Sequence, residues 1–254
     1  MITDTYILSV IQKYRVNNHI DITTQIQTIN PIEAIIKNWA NSNLNEIKVS
    51  GSRAKGTAIN LSSDLDLFIS LNSNTSESLK QIYESLYSVF HSMGLQPRRQ
   101  NSSIGIKYNG LKVDIVPGKI RPGNNNYHSI YRSKINSWTQ TNVDKNIALV
   151  KNSGRLNEII ALKIWRELNN INFPSVYLEL TVLNALYNKN KYQITENFVK
   201  ILEYLRDDFV GKIIIDPTNS NNVISDDLHK YEKELISQQA VSSLSQKYLQ
   251  NIIW

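Results

Sequence analysis

The stretch that most constrains the fold runs from Asp64 to Leu71, DLDLFISL. Leu65, Leu67 and Ile69 alternate with Asp64 and Asp66, which predicts a strand with one face in a core. Residues two apart project from the same face, so the two carboxylates stand side by side and repel each other. A divalent cation removes that cost, and magnesium favours carboxylate oxygens and bridges them to substrate phosphates. A half-exposed strand with two solvated acids has the same pattern.

Upstream, Ile47-Lys48-Val49 reads as a short strand feeding Gly51-Ser52, after which a helical turn can begin. Exposed backbone N–H groups there can bind phosphate oxygens, and glycine lets the backbone come close. Ser52 adds a hydroxyl, and Arg53 and Lys55 add positive charge. Taken alone, the pair also describes an ordinary tight turn. A third acid, Asp114, lies in LKVDIVPG, late in a hairpin predicted over residues 104–116 with Asn109-Gly110 as its turn. A carboxylate between Val113 and Ile115 is costly unless paired or metal-bound; a salt-bridged acid on an edge strand is the alternative. If that strand lies beside Asp64–Leu71, three carboxylates converge, as two-metal nucleotidyl transfer requires. One ion then activates the attacking hydroxyl, and the other steadies the triphosphate and the leaving pyrophosphate.

Around these motifs the first half alternates helix and strand. Helices are predicted over 4–15, over 30–41 with Asn30 as cap and Glu33 reaching back, and from Asn74 with Glu77 to Gly94. After about residue 125 helical patterns dominate: 143–152, 156–169, 174–187, 195–209 and 226–249. Ile213–Val223, IIIDPTNSNNV, reads as one short apolar run and a polar loop, and the Asn-rich patches read as loops. The expected fold is α+β, a mixed-sheet domain over 1–125 followed by a helical domain over 126–254. The absence of cysteine excludes disulfides, thiolate zinc sites and cysteine nucleophiles. The four histidines are scattered without zinc-ligand spacing. A net charge of +6 favours anionic partners such as nucleotides or RNA. No run of about eighteen apolar residues marks a membrane span, and the N-terminus lacks the pattern of a secretion signal, so a cytoplasmic protein is expected.

Gly51-Ser52, Asp64-x-Asp66 and Asp114, in that order and strand context, resemble the nucleotidyltransferase signature of the DNA polymerase β superfamily. The resemblance implies a polymerase β-like palm in which Asp64 and Asp66 hold two Mg2+ ions, with Mn2+ able to substitute. Asp114 would bind one ion and help activate the attacking hydroxyl; Gly51 and Ser52 would grip the triphosphate. The segment from Arg155 to Leu186 resembles the part following the palm in bacterial cGAS/DncV-like nucleotidyltransferases (CD-NTases) and in archaeal-type CCA-adding enzymes. In both, a lysine matching Lys163 reaches the triphosphate and a serine matching Ser175 contacts phosphates. Read without the resemblance, these are a lysine whose ammonium leaves an apolar helix and a helix start with Pro174 in its first turn. IIIDPTNSNNV looks like the Asp-Pro loop of CD-NTases and 2′-5′ oligoadenylate synthetases. His128 stands where related enzymes often carry a histidine, for phosphate contact or as a hydrogen-bonded side chain. Tyr177 suits base stacking or the core.

The resemblance implies an enzyme that joins nucleotides from NTPs, with pyrophosphate release, into a short cyclic or linear oligonucleotide, for signalling or anti-phage defence. Its active site would lie in the cleft between the palm and the helical half. Its partners would be NTPs, an RNA or oligonucleotide acceptor and an effector or regulatory protein, with no membrane. Alternatives are transfer to an RNA or tRNA 3′ end, transfer to a protein or small molecule, and a non-catalytic binding module.

Overall fold

Residues 4–17, 19–62 and 64–254 are described by the computed structural model. They fall into two units, one of residues 17–55 and 63–147, the other of residues 1–16, 56–62 and 148–254. Helix α1 (Asp4–Tyr14) opens the chain and belongs to the second.

In the first unit, Asp21 caps α2 (Ile22–Thr24) by accepting the Thr24 N–H at 2.8 Å. The helix then widens into a π-helical turn at Gln25–Ile29 and continues as α3 (Asn30–Ala40). Asn30 is therefore inside the helix, not its cap, and Glu33 pairs with Lys37 at 2.9 Å instead of reaching back. Pro31 has no N–H to offer the preceding turn. The Gln27 carbonyl accepts from the Asn109 side chain at 2.6 Å instead. There follow β1 (Leu44–Val49), α4 (Gly51–Lys55), β2 (Leu65–Leu71) and α5 (Leu79–Ser92). A reciprocal cap between Ser78 and Gln81 starts α5, not the expected Asn74 and Glu77.

Strands β3 (Arg98–Arg99), β4 (Ile104–Tyr108), β5 (Leu111–Arg121), β6 (Asn124–Arg132) and β7 (Ser137–Thr141) complete a seven-stranded sheet. Its order is β1-β2-β5-β4-β3, with β6 paired to β5 and β7 to β6. Among the described residues, only the β2–β5 pairing of this sheet is parallel. Asn109 and Gly110, at φ +48° and +81°, form the expected hairpin turn. Leu65, Leu67 and Ile69 pack with Val113 and Ile115 against α3 and α5, each such burial contributing about 1.5–3 kcal/mol.

Helix α6 (Val143–Lys151) leads into the second unit, which holds α7 (Leu156–Leu168), α8 (Ser175–Ala185), α9 (Ile194–Asp207), the hairpin β8 (Ile215–Asp216) and β9 (Asn219–Val223), and α10 (Lys230–Leu244). Helix α7 is buried on nearly every face, as a central core helix must be. Residues 56–62 are stitched to the end of α1: Val16 N–H donates to Ala58 O (3.0 Å), and Asn60 N–H to Tyr14 O (2.8 Å). Among the described residues no helix is long and apolar enough to cross a membrane.

Two expectations are corrected. The units do not part near residue 125, because β6 and β7 extend the sheet while Ile7, Val10 and Ile11 of α1 join the helical core. The stretch Ile213–Val223 contains a hairpin rather than only a loop, with Asp216 Oδ1 accepting the Thr218 N–H at 2.8 Å and Asp216 Oδ2 accepting from Asn222 at 3.1 Å.

Candidate active site

Parallel pairing of β2 with β5 sets Asp66 directly beside Asp114. Both project from the face opposite the apolar core. Asp64 immediately precedes β2 and shares that face. Burial first, and then the charges of Asp114 and Asp64, raise Asp66 from 3.8 to about 6. Asp114 is also raised, by burial first and then by Asp64, while Gln100 and Arg98 oppose the shift. The expected convergence of three acids is thus visible in their mutual electrostatics.

The turn after β1 is built around Asp66. Ser50 N–H donates to the Asp66 carbonyl at 2.8 Å. Gly51 takes φ +59°, and a Cβ there would lie 1.8 Å from Asp66 Oδ2. Glycine is required both by the backbone angle and by this approach. The Ser52 N–H bonds the Asp66 carboxylate, so this amide is directed at the acid and is not exposed as expected. Arg53 has a buried Nε without a partner among the described residues.

Sequence reasoning missed Gln100 and Gly105. Ser103 Oγ donates to Gln100 Oε1 at 2.7 Å, and Gln100 Nε2 donates to Asp114 Oδ1 at 2.9 Å. Tyr83 and Ser133 hydroxyls hold the Gln100 carbonyl. Gly105 pairs with Asp114 across β4 and β5, and a Cβ on it would meet both the Gln100 amide and the Asp114 carboxylate within 2.9 Å. A glycine inside a strand pattern was the available signal; nothing in the sequence marked Gln100.

Among the described residues, no three His, Cys, Asp or Glu side chains are set to hold a metal ion. The expected metal cage of Asp64, Asp66 and Asp114 is not assembled as the side chains stand. Asp66 and Asp114 each turn an oxygen to a protein donor, which lowers the cost of repelling carboxylates. The donor set still fits a hard divalent cation, being carboxylate oxygen throughout.

Lys163 and Ser175 belong to the helical unit. The Lys163 ammonium does not leave its helix for a groove: it is buried, donating to Glu179 Oε1 at 2.8 Å and Thr57 Oγ1 at 2.9 Å. Ser175 is exposed at the first turn of α8 and accepts from Arg166 at 3.1 Å; Pro174 is its N-cap. Tyr177 is a core residue, packed on Phe173 and Phe209. His128 is buried too. Ser70 Oγ accepts from Asn45 at 3.0 Å and lies in hydrogen-bond contact with His128 Nε2 at 2.7 Å. Burial and the Lys48 charge lower the imidazole, keeping it neutral.

A palm-like sheet carrying paired acids beside a glycine-serine turn defines a polymerase β-like nucleotidyltransferase. Residues 32–163, more than half of the chain, match the nucleotidyltransferase domain family, and the chain belongs to it. It is an NTP-using enzyme of a family that generally employs divalent metal ions. No curated protein matches it by sequence. Among solved structures it is similar to Escherichia coli MS115-1 CdnC with ATP, at 18% identity and TM-score 0.75, over 98% of this chain and 94% of that one. It is also similar to the Bradyrhizobium diazoefficiens CD-NTase CdnG in complex with GTP (11%, TM-score 0.70, 98% and 94% covered). The Cid1 poly(U) polymerase bound to MgATP follows at 13%, TM-score 0.60, and 96% and 95% covered. At these identities the likeness is one of fold.

Proposed function

We propose that the enzyme joins nucleotides from NTPs into a short cyclic or linear oligonucleotide, releasing pyrophosphate, as a CD-NTase-like signalling or defence enzyme. The observation that carries this is the coupled acid set, in which Asp66 is raised to about 6 by burial and by its two neighbours. A fold shared with CD-NTases over nearly the whole chain supports the same reading.

Asp64 and Asp66 are proposed to hold Mg2+, and Asp114 to share one ion. Bound there, the ions supply Lewis acidity at the triphosphate and a lowered pKa at the acceptor hydroxyl. Asp114 lies at the edge of the acid row and receives the hydroxyl proton as oxygen attacks the α-phosphorus; the bond to the bridging oxygen breaks and pyrophosphate leaves. Gln100 fixes the Asp114 carboxylate for that transfer. Gly51 and Ser52 hold the turn against Asp66, and the Ser52 hydroxyl and Arg53 Nε are donors for phosphate oxygens. Phosphate roles for Lys163 and Ser175 belong to the proposal on one condition: the Lys163 ammonium must exchange Glu179 for an anion.

The test is incubation with Mg2+ and each labelled NTP, singly and mixed, with and without RNA, with products resolved by size. Small products formed without RNA support the proposal, and resistance to phosphatase marks a ring. Label found only on RNA would replace it with 3′-end addition.

A further inference from the structure

The acid face of the sheet does not end at Asp114. Register pairing runs Asp66, Asp114, Gly105, Arg98 in one row across β2, β5, β4 and β3. Residues opposite one another share a face, and so do residues two apart along a strand. Lys112 and Lys107, themselves paired across β5 and β4, therefore stand on this face in the adjoining row.

Arg98, Lys107 and Lys112 are exposed. None has a hydrogen-bonding or ion-pairing partner for its side chain among the described residues. Like charges directly opposite in a sheet repel, so the Lys107–Lys112 pairing carries an uncompensated cost. All three line a cavity of about 500 Å3 that no acidic residue lines among the described residues. That volume lies within the usual range of small-ligand sites. Arg98 comes close to the catalytic acids at Gly105, which pairs with it on one side and with Asp114 on the other. An Arg98 guanidinium nitrogen, at 3.3 Å, and Asp114 Oδ1, at 2.9 Å, both border the space a Cβ on that glycine would take. The charges of Arg98 and Lys112 also act on Asp114, drawing it toward the ionised form.

We infer that Arg98, Lys107 and Lys112 bind the phosphates of the acceptor nucleotide, placing its hydroxyl at Asp114. The inference rests on the nucleotidyltransferase reading of the acids. Three neighbouring ammonium and guanidinium groups suit a polyanion, either a strand backbone or the 5′-triphosphate of a nucleotide that serves as acceptor.

The test measures binding in EDTA, so that catalysis and metal are not involved. Fluorescent octaadenylate and ATP are titrated against the wild type, the triple variant Arg98→Gln/Lys107→Gln/Lys112→Gln, and a charge-matched control, Lys13→Gln/Lys37→Gln/Lys230→Gln, whose lysines are exposed elsewhere. The triple variant should lose at least about tenfold in affinity for one of the two ligands, and its log–log salt dependence for the strand should flatten by about 2. Loss confined to octaadenylate assigns a strand backbone; loss of ATP assigns an acceptor triphosphate. Unchanged binding of both, or an equal loss in the control, overturns the inference and leaves the cations as a charged guard on a sheet edge. A failure of turnover with the binding difference intact would count against the catalytic reading alone.

Discussion

Replacing Asp66 by Asn should stabilise the metal-free protein at neutral pH. In the fold Asp66 titrates near 6 rather than 3.8, an interval that corresponds to about 3 kcal/mol. A carboxyl raised by folding binds its proton more tightly in the folded state. Its contribution to stability is fully present below pH 3.8 and is lost as the pH rises through about 6. At pH 7.5 the ionised wild type therefore carries the whole cost, about 3 kcal/mol as an upper bound, because neighbouring carboxylates relax. Asn keeps the shape and an oxygen for the Ser52 N–H but carries no charge. Between pH 7.5 and 5 the wild type should regain about 1.4 kcal/mol and the variant nothing from this residue, so the gap narrows by about half. Denaturant titrations in EDTA at the two pH values read this directly. Millimolar Mg2+ should reverse the order at pH 7.5 by stabilising the wild type alone. A variant less stable than wild type in EDTA, or a gap that ignores pH, would refute the electrostatic account.

Other substitutions test separate parts. Gly51→Ala should lower the melting temperature by several degrees and abolish turnover, since φ +59° costs about 1–2 kcal/mol for a residue with a Cβ and that Cβ meets Asp66. Gln100→Leu removes the hydrogen bond that favours ionised Asp114; the acidic limb of the kcat–pH profile should move to higher pH. Lys163→Met leaves Glu179 buried without the Lys163 ammonium and should cost about 3–5 kcal/mol in chemical denaturation. The double variant Lys163→Met/Glu179→Leu should recover most of that loss.

The acid set was legible in the sequence because strand periodicity is rigid: with apolar residues at 65, 67 and 69, Asp64 and Asp66 had to share the other face. The hairpin was legible because Asn109-Gly110 is a turn whose chemistry selects its geometry. Strand β6 was not, since its residues, NNNYHSIYR, are held by pairing with β5 and β7 rather than by strong strand propensity. The start of α3 was misplaced because Pro31 suits a helix start equally well when an earlier turn widens to admit it. Lys163 was read as reaching outward because its future partner, Glu179, lies sixteen residues away on another helix. Gln100 could not be found at all: its role depends on Ser103, Tyr83 and Ser133 converging on one loop.

The central claim is that the Asp64–Asp66–Asp114 row transfers nucleotides. Pyrophosphate release from mixed NTPs with Mg2+ tests it most directly, comparing wild type with Asp64→Asn/Asp66→Asn at equal concentration and confirmed fold. The account predicts release by the wild type and at least a thousandfold less by the variant, on the order of the roughly 4 kcal/mol that a lost transition-state charge partner costs. Equal release by both proteins would contradict it.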